Sequence, residues 1–394
     1  MSISESLPES QPESHQDKIY DFMVIGAGIA GASVAAQLAQ SAEVCVIEAE
    51  SQAGYHSTGR SAAMYVPGYG PPAVRMLTRA SGDFLKNPPP AFTDRPLLSE
   101  RAILLIATLK QKDRLALFQQ EVESADIMTQ IEADQIRDYQ PLLRADFAVA
   151  GLLDQTGHDI DVDALHRGFL RQLKEFGGQL LTNTAVTALT RSDGVWQIQT
   201  KDQLIKSQVI INAAGAWAEE IGQMAGAETV GLVPKRRTAL MIEADEGLDL
   251  ASMPMTIDVD EQFYLKPEGR QILISPANED PMPPCDVQPD EMDIAICIDR
   301  IERAFTLDIR SLKSKWAGLR SFVSDKEPVV GYSDKVDGFF WLAGLGGYGI
   351  QTSPALGRLA AAVALGAEIP SDIAQTGLTP EMLHPARLQK SQPI

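Results

Sequence analysis

Residues 20–50 read YDFMVIGAGIAGASVAAQLAQSAEVCVIEAE, and the order of patterns within them decides the fold. An apolar run, Phe22 to Ile25, bounded by glycine, reads as a buried strand. It feeds Gly26-Ala27-Gly28-Ile29-Ala30-Gly31, then a helix of small residues to about Gln40, then a second apolar strand, Val44 to Ile47, ending at Glu48 and Ala49. Strand, glycines, helix, strand and acid in that order make a dinucleotide-binding fingerprint. Gly26 permits the tight turn, Gly28 lets the backbone approach a pyrophosphate, and Gly31 allows close helix-to-strand packing. The first helical turn, with Ala30, offers unpaired N–H groups to phosphate. Glu48 is placed where a carboxylate accepts hydrogen bonds from ribose hydroxyls.

The plan recurs. Residues 207–221, SQVIINAAGAWAEEI, carry an apolar strand into Ala213-Ala214-Gly215, and residues 338–365 carry a strand (Phe339 to Leu342), a glycine-rich turn and another small-residue helix. A nicotinamide enzyme usually needs one contiguous nucleotide domain. Three strand-to-glycine units spread over the whole length instead point to a nucleotide site assembled from distant segments, as in flavoproteins that bind extended FAD. The segments 19–82, 151–231 and 315–380 are therefore expected to form a discontinuous FAD-binding domain. Segments 83–150 and 232–314 are expected to form the substrate-binding domain. Residues 1–18 read as a disordered acidic extension and 381–394 as a C-terminal tail.

Composition narrows the class. The 394 residues are 44% hydrophobic and 22% charged, as in an ordinary globular enzyme, with a formal net charge of −19. So acidic a chain does not attract nucleic acid through its overall field. No apolar run approaches the roughly 20 residues of a membrane span, and the N-terminus lacks a signal peptide's basic and apolar regions. Cys45, Cys285 and Cys297 are too few and scattered for a disulfide framework, which fits the cytoplasm. The five histidines form no paired spacing, so no metal is expected.

The N-terminal fingerprint, GYHSTGRSAAMY (54–65), DIDVDALHRGFL (159–170), NAAGAWAEEI (212–221), PKRR (234–237), FYLKP (263–267), WAGLRSFVSD (316–325) and GGYGIQTS (346–353) are long and collinear. Together they resemble the D-amino-acid oxidase-like FAD oxidoreductases, most closely their bacterial D-arginine dehydrogenase branch. The resemblance implies an α/β fold: a Rossmann-like FAD domain of the glutathione-reductase type and an α+β substrate domain. It implies noncovalent FAD, wrapped by His56, Ser57, Thr58, Arg60, Ser61, Ala62 and Ala63, with the backbone of Val186 on the adenine side. Ala214 and Gly215 belong to the same cradle. Gly346, Gly347, Gly349, Ile350 and Gln351 are implied beside the flavin, where a helix N-terminus stabilises negative charge on the reduced ring.

The three adjacent cations Lys235, Arg236 and Arg237 then find a purpose. Read as a strand, their side chains alternate, so Lys235 and Arg237 share a face while Arg236 points away to pair with carboxylates in solvent. Arginine grips a carboxylate bidentately in a way that lysine does not. The resemblance assigns the substrate carboxylate to Arg237 and Arg320 with the Tyr264 hydroxyl, a lid to Tyr69 in VPGYGPP, and the substrate amine to the carbonyl of Gly347.

Two positions depart from the D-arginine pattern. Met64 stands where that branch has a histidine near the flavin, and Ile103 where it has the glutamate that pairs with the guanidinium. A buried guanidinium without a partner is costly, so neutral or apolar side chains are expected, with Met255, Ile257 and Tyr348 lining the same pocket. The expected reaction is oxidative deamination of a D-amino acid by hydride transfer from Cα to flavin N5, giving a 2-oxo acid and ammonia, with a quinone or O2 as electron acceptor. A glycine- or sarcosine-type oxidase, an enzyme of L-amino or cyclic imino acids, and a flavin-binding subunit without turnover remain alternatives.

Overall fold

The computed structural model describes residues 18–121 and 128–389; the expected extension at the N-terminus lies almost wholly outside them. The first strand, Ile19–Ile25, has Tyr20, Met23 and Val24 fully buried. It is flanked in parallel by Val44–Ile47 on one side and Leu204–Asn212 on the other, with Val24 opposite Val46 and Ile211. Gln179–Leu181 and Phe339–Ala343 extend the parallel sheet outwards. An antiparallel ribbon, Val186–Ser192 and Val195–Thr200, and the edge strand Val329–Tyr332 bring this sheet to eight strands among the described residues.

The glycines explain how tightly the layers meet. Gly26 has φ +100°, and a Cβ there would lie 2.5 Å from the Ala213 carbonyl oxygen. The small-residue helix Ile29–Leu38 packs against Gly349–Leu365, where a Cβ on Gly357 would sit 2.9 Å from the Ser33 backbone. Larger residues would force these helices apart and empty the core between them.

A nine-stranded, mostly antiparallel sheet forms the second layer, with Val233–Glu243 paired to Ser314–Phe322, Gln271–Ser275 and Asp280–Pro281. Met255–Asp258 runs parallel to Ile103–Ala107, which pairs in turn with Ala150–Asp154. Two of these strands move the expected domain boundaries. Ala150–Asp154 and Ser314–Phe322 belong to the second sheet, so divisions at 151 and 315 would cut through its ladders. Nor is 381–389 a loose tail. Leu388 is buried, Val330 N donates to the Leu383 carbonyl at 2.9 Å, and Arg387 pairs with Asp325 at 2.8 Å.

Candidate active site

A cavity of about 710 Å³ opens where the two sheets meet, within the roughly 300–1,000 Å³ typical of ligand sites. Its floor is built from the ends of the parallel strands. Gly28 and Ala30 follow the first strand, Gly215 follows the Leu204–Asn212 strand, and Gly346, Gly347, Gly349, Ile350 and Gln351 follow the Phe339–Ala343 strand; all line the cavity. Two helices, Ile29–Leu38 and Gly349–Leu365, begin at this floor and turn their N-terminal ends to it. Ser57, Thr58, Arg60, Ser61, Ala62 and Ala63 form a second wall. Thr58 Oγ1 accepts the Ile29 N–H at 3.0 Å, so this loop caps the first Rossmann helix.

Several expected contacts are spent within the protein. Gly26 and Gly31 lie behind the lining, shaping the turn. Glu48 Oε2 accepts the Ala27 N–H at 2.8 Å and Oε1 the Glu50 N–H at 3.0 Å, so the acid at the strand end braces the glycine turn. His56, Ala49, Val186, Ala214 and Tyr348 are also outside the lining; His56 pairs with Glu50 at 2.9 Å and packs on Trp217. Arg60 reaches the cavity, but its guanidinium is committed to Asp286 and to the carbonyls of Val287 and Ala317. His166 Nε2 bonds the Ala27 carbonyl at 2.8 Å. Burial pulls the His166 imidazole below its ordinary value despite that bond.

Arg237, Tyr264 and Arg320 meet in one wall of the cavity. Each comes from a different strand of the second sheet, which is why a local motif in the sequence hides their proximity. Arg237 is 7% exposed, and its Nε is buried without a hydrogen-bond partner among the described residues. Burial, with the like charge of Arg320, lowers the Arg237 pKa. Burial would lower Arg320 too, but the phenols of Tyr264 and Tyr69 and the Glu261 carboxylate outweigh it and hold that pKa up. Lys235 does share a face with Arg237, for both contact Glu279, at 3.0 and 3.3 Å. Arg236 points the other way, yet it does not stay in solvent. Its Nε lies 2.8 Å from the nearly buried Asp293, on the helix Glu291–Ala304.

Tyr69 lines the cavity and donates its hydroxyl to Glu261 Oε1 at 3.0 Å, while its ring meets Tyr348 edge-on at 5.4 Å. Burial, and then the Glu261 carboxylate, push the Tyr69 phenol well above its ordinary range, so it is a donor rather than a base near neutrality. Met64, Ile103, Met255 and Ile257 gather at the apolar end with Leu105, Met128 and Phe118. Sequence reasoning missed Glu261, Glu279, Lys326 and the Arg114/Phe118 pair, which line the same space. Arg114 and Phe118 stand one turn apart in KDRLALFQQE, a spacing that signals a shared face. Glu261 and Glu279 follow or precede strands in acidic turns, where nothing local marks them as facing inwards.

The cradle suits an extended dinucleotide: glycine turns on three adjacent strands, two helix N-termini and a hydroxyl-rich loop surround one elongated space. Comparison with known proteins agrees. The family model for FAD dependent oxidoreductases matches residues 21–363. Glycine oxidase of Bacillus licheniformis is 24% identical over 89% of this chain and 94% of its own. Human mitochondrial dimethylglycine dehydrogenase is 30% identical over 37% of this chain, and the match spans only 17% of that longer protein. Among solved structures, glycine oxidase from Geobacillus kaustophilus superposes with a TM-score of 0.79 at 20% identity, covering 91% of this chain and 98% of that one. L-proline dehydrogenase from P.horikoshii gives 0.78 at 21%, covering 95% and 99%. With its glycine turns, its hydroxyl loop and a family match over most of its length, the chain belongs to the FAD-dependent oxidoreductases of the D-amino-acid oxidase type, and its cofactor is FAD.

Proposed function

We propose that the protein oxidatively deaminates D-amino acids with neutral or apolar side chains, a variation on the D-arginine dehydrogenase pattern it resembles. The observation that carries this reading is the buried Arg237, with an unpartnered Nε, beside Arg320 and Tyr264 in one cavity wall. Glu279 at 3.3 Å offsets only part of this positive charge, so two guanidiniums and a phenol still offer donors that a substrate carboxylate would complete. Ser57, Thr58, Ser61 and the turn residues Gly346, Gly347, Gly349 and Gln351 would hold the cofactor, with Gly26, Gly28 and Gly31 shaping its pyrophosphate turn. FAD, when bound, supplies the two-electron acceptor for the substrate Cα–H bond.

The chain's own residues do the rest. Arg237 and Arg320 fix the carboxylate, Tyr264 adds a hydroxyl, and the Gly347 carbonyl receives the amine, so the Cα–H bond is held at one angle. Tyr69, held by Glu261, covers the opening and limits water. Met64, Ile103, Met255 and Ile257 receive the side chain, while the cavity's carboxylates Asp258, Asp260 and Glu261 are bonded to Gln111 and Tyr69. The imino acid then hydrolyses in water to a 2-oxo acid and ammonia. Three unpaired cysteines favour a reducing compartment such as the cytoplasm.

Glycine or N-methyl glycine derivatives form a second reading, favoured by the similarity to glycine oxidase and dimethylglycine dehydrogenase and opposed by the size of the apolar end. Anaerobic bleaching of the flavin by D- and L-amino acids, glycine and sarcosine separates the two. Preferential bleaching by neutral D-amino acids supports the first reading; bleaching by D-arginine above all, or only by L-amino acids, glycine or N-methyl amines, rejects it. Repeating the assay in air with peroxide detection tells O2 from a quinone as acceptor.

A further inference from the structure

The carboxylate grip already has a carboxylate on it. Glu279 lines the cavity, with Oε1 3.3 Å from Arg237 Nη2 and Oε2 3.0 Å from Lys235 Nζ. Although burial opposes ionisation, Lys235, Lys326 and Arg237 hold this carboxyl below its ordinary range, so it is charged through neutral pH. The side chain is 30% exposed and belongs to the turn before Asp280–Pro281, so the charge is not forced there by core packing. A fixed negative charge therefore sits on the guanidinium read as the substrate grip.

Such a charge acts differently on substrate and product. An amino acid enters as a zwitterion and brings an ammonium that offsets the repulsion felt by its carboxylate. The 2-oxo acid it becomes has lost the ammonium and carries a net charge of −1. We propose that Glu279 is a specificity residue that disfavours bare monoanions at the Arg237 site, and thereby promotes release of the 2-oxo acid relative to the amino acid. The inference rests on the reading of Arg237 as the substrate-carboxylate grip. Discrimination of this kind works by building repulsion against the wrong ligand. For like charges a few ångströms beyond contact, in a partly solvated site, the effect is on the order of five- to tenfold in affinity.

The test uses the FAD-loaded protein and two matched ligands: leucine, in whichever enantiomer reduces the flavin, and its 2-oxo acid, 4-methyl-2-oxopentanoate, with benzoate as a second monoanion. Dissociation constants come from perturbation of the oxidised flavin spectrum for the anions and from the concentration dependence of anaerobic reduction for leucine. In Glu279→Gln the ratio of the two constants should shift about five- to tenfold in favour of the 2-oxo acid, with benzoate following it. Glu279→Asp, which keeps the charge, should retain the wild-type ratio, and Glu279→Ala should behave like Gln; this pair decides if the Gln variant folds poorly. An unchanged ratio, or parallel weakening of all three ligands, overturns the proposal and leaves Glu279 a support for Arg237. If wild type binds neither anion nor leucine, the carboxylate-site reading fails and the proposal falls with it.

Discussion

A Cβ placed on Gly347 would lie 2.9 Å from the guanidinium carbon of Arg320. The glycine turn from the cofactor sheet and the arginine from the substrate sheet thus touch where any side chain at 347 would have to displace the guanidinium. Gly347→Ala should push Arg320 aside while leaving the fold intact. The expected result is a fall of at least tenfold in kcat/KM with little change in Tm. Unaltered kinetics would mean that Arg320 does not touch the substrate.

Arg237 allows a sharper comparison. Lysine keeps the charge but loses the planar fork, so Arg237→Lys should lower kcat/KM by about two orders of magnitude, and Arg237→Ala by more. Stopped-flow reduction of the flavin measures both. Equal activity in the lysine variant would make Arg237 a diffuse charge, not a grip.

The apolar end predicts a reversal of preference. Ile103 is 2% exposed and lies opposite Met255 and Asp154 in its ladders. Ile103→Glu should raise kcat/KM for D-arginine relative to D-leucine by at least tenfold, because the guanidinium would gain a buried partner. The variant should also melt lower without ligand. No change in that ratio would place Ile103 in the core, away from the substrate side chain.

How much of this was legible in the sequence follows the range of the interactions. The Rossmann unit could be read because strand, glycine turn and helix are written consecutively from Phe22 to Glu48. The pairing of Arg236 with Asp293 could not, since the two are joined only when a distant helix packs on the strand. Alternation correctly separated Arg236 from Arg237 but said nothing of what each face meets. The strands Ala150–Asp154 and Ser314–Phe322 went to the wrong domain for the same reason: strand propensity is local, sheet membership is not. Glu279 escaped notice because its meaning lies in Arg237 and Lys235, more than forty positions earlier.

His166 gives stability a pH dependence. Its folded pKa is lowered by burial beneath the glycine turn. The unfolded chain therefore takes up the proton first, so the contribution is intact above about pH 6.5 and declines as pH falls below it. The slope is at most about 1.4 kcal/mol per pH unit for one proton. His166→Gln, which keeps a donor for the Ala27 carbonyl, should flatten the fall in Tm between pH 6.5 and 5. A parallel fall in both proteins would assign the acid sensitivity to other groups.

The Phe339–Ala343 strand pairs with Leu204–Asn212, which in turn lies beside the first strand of the chain. A ribosome that has released the fingerprint must therefore synthesise some three hundred further residues before the sheet containing it is complete. During that interval the apolar run from Phe22 to Ile25 has only part of its final shelter, a condition that slows folding and invites misassembly. A fragment ending before Phe339 should therefore give a poor soluble yield compared with the full chain, the cost of placing a cofactor between segments so far apart.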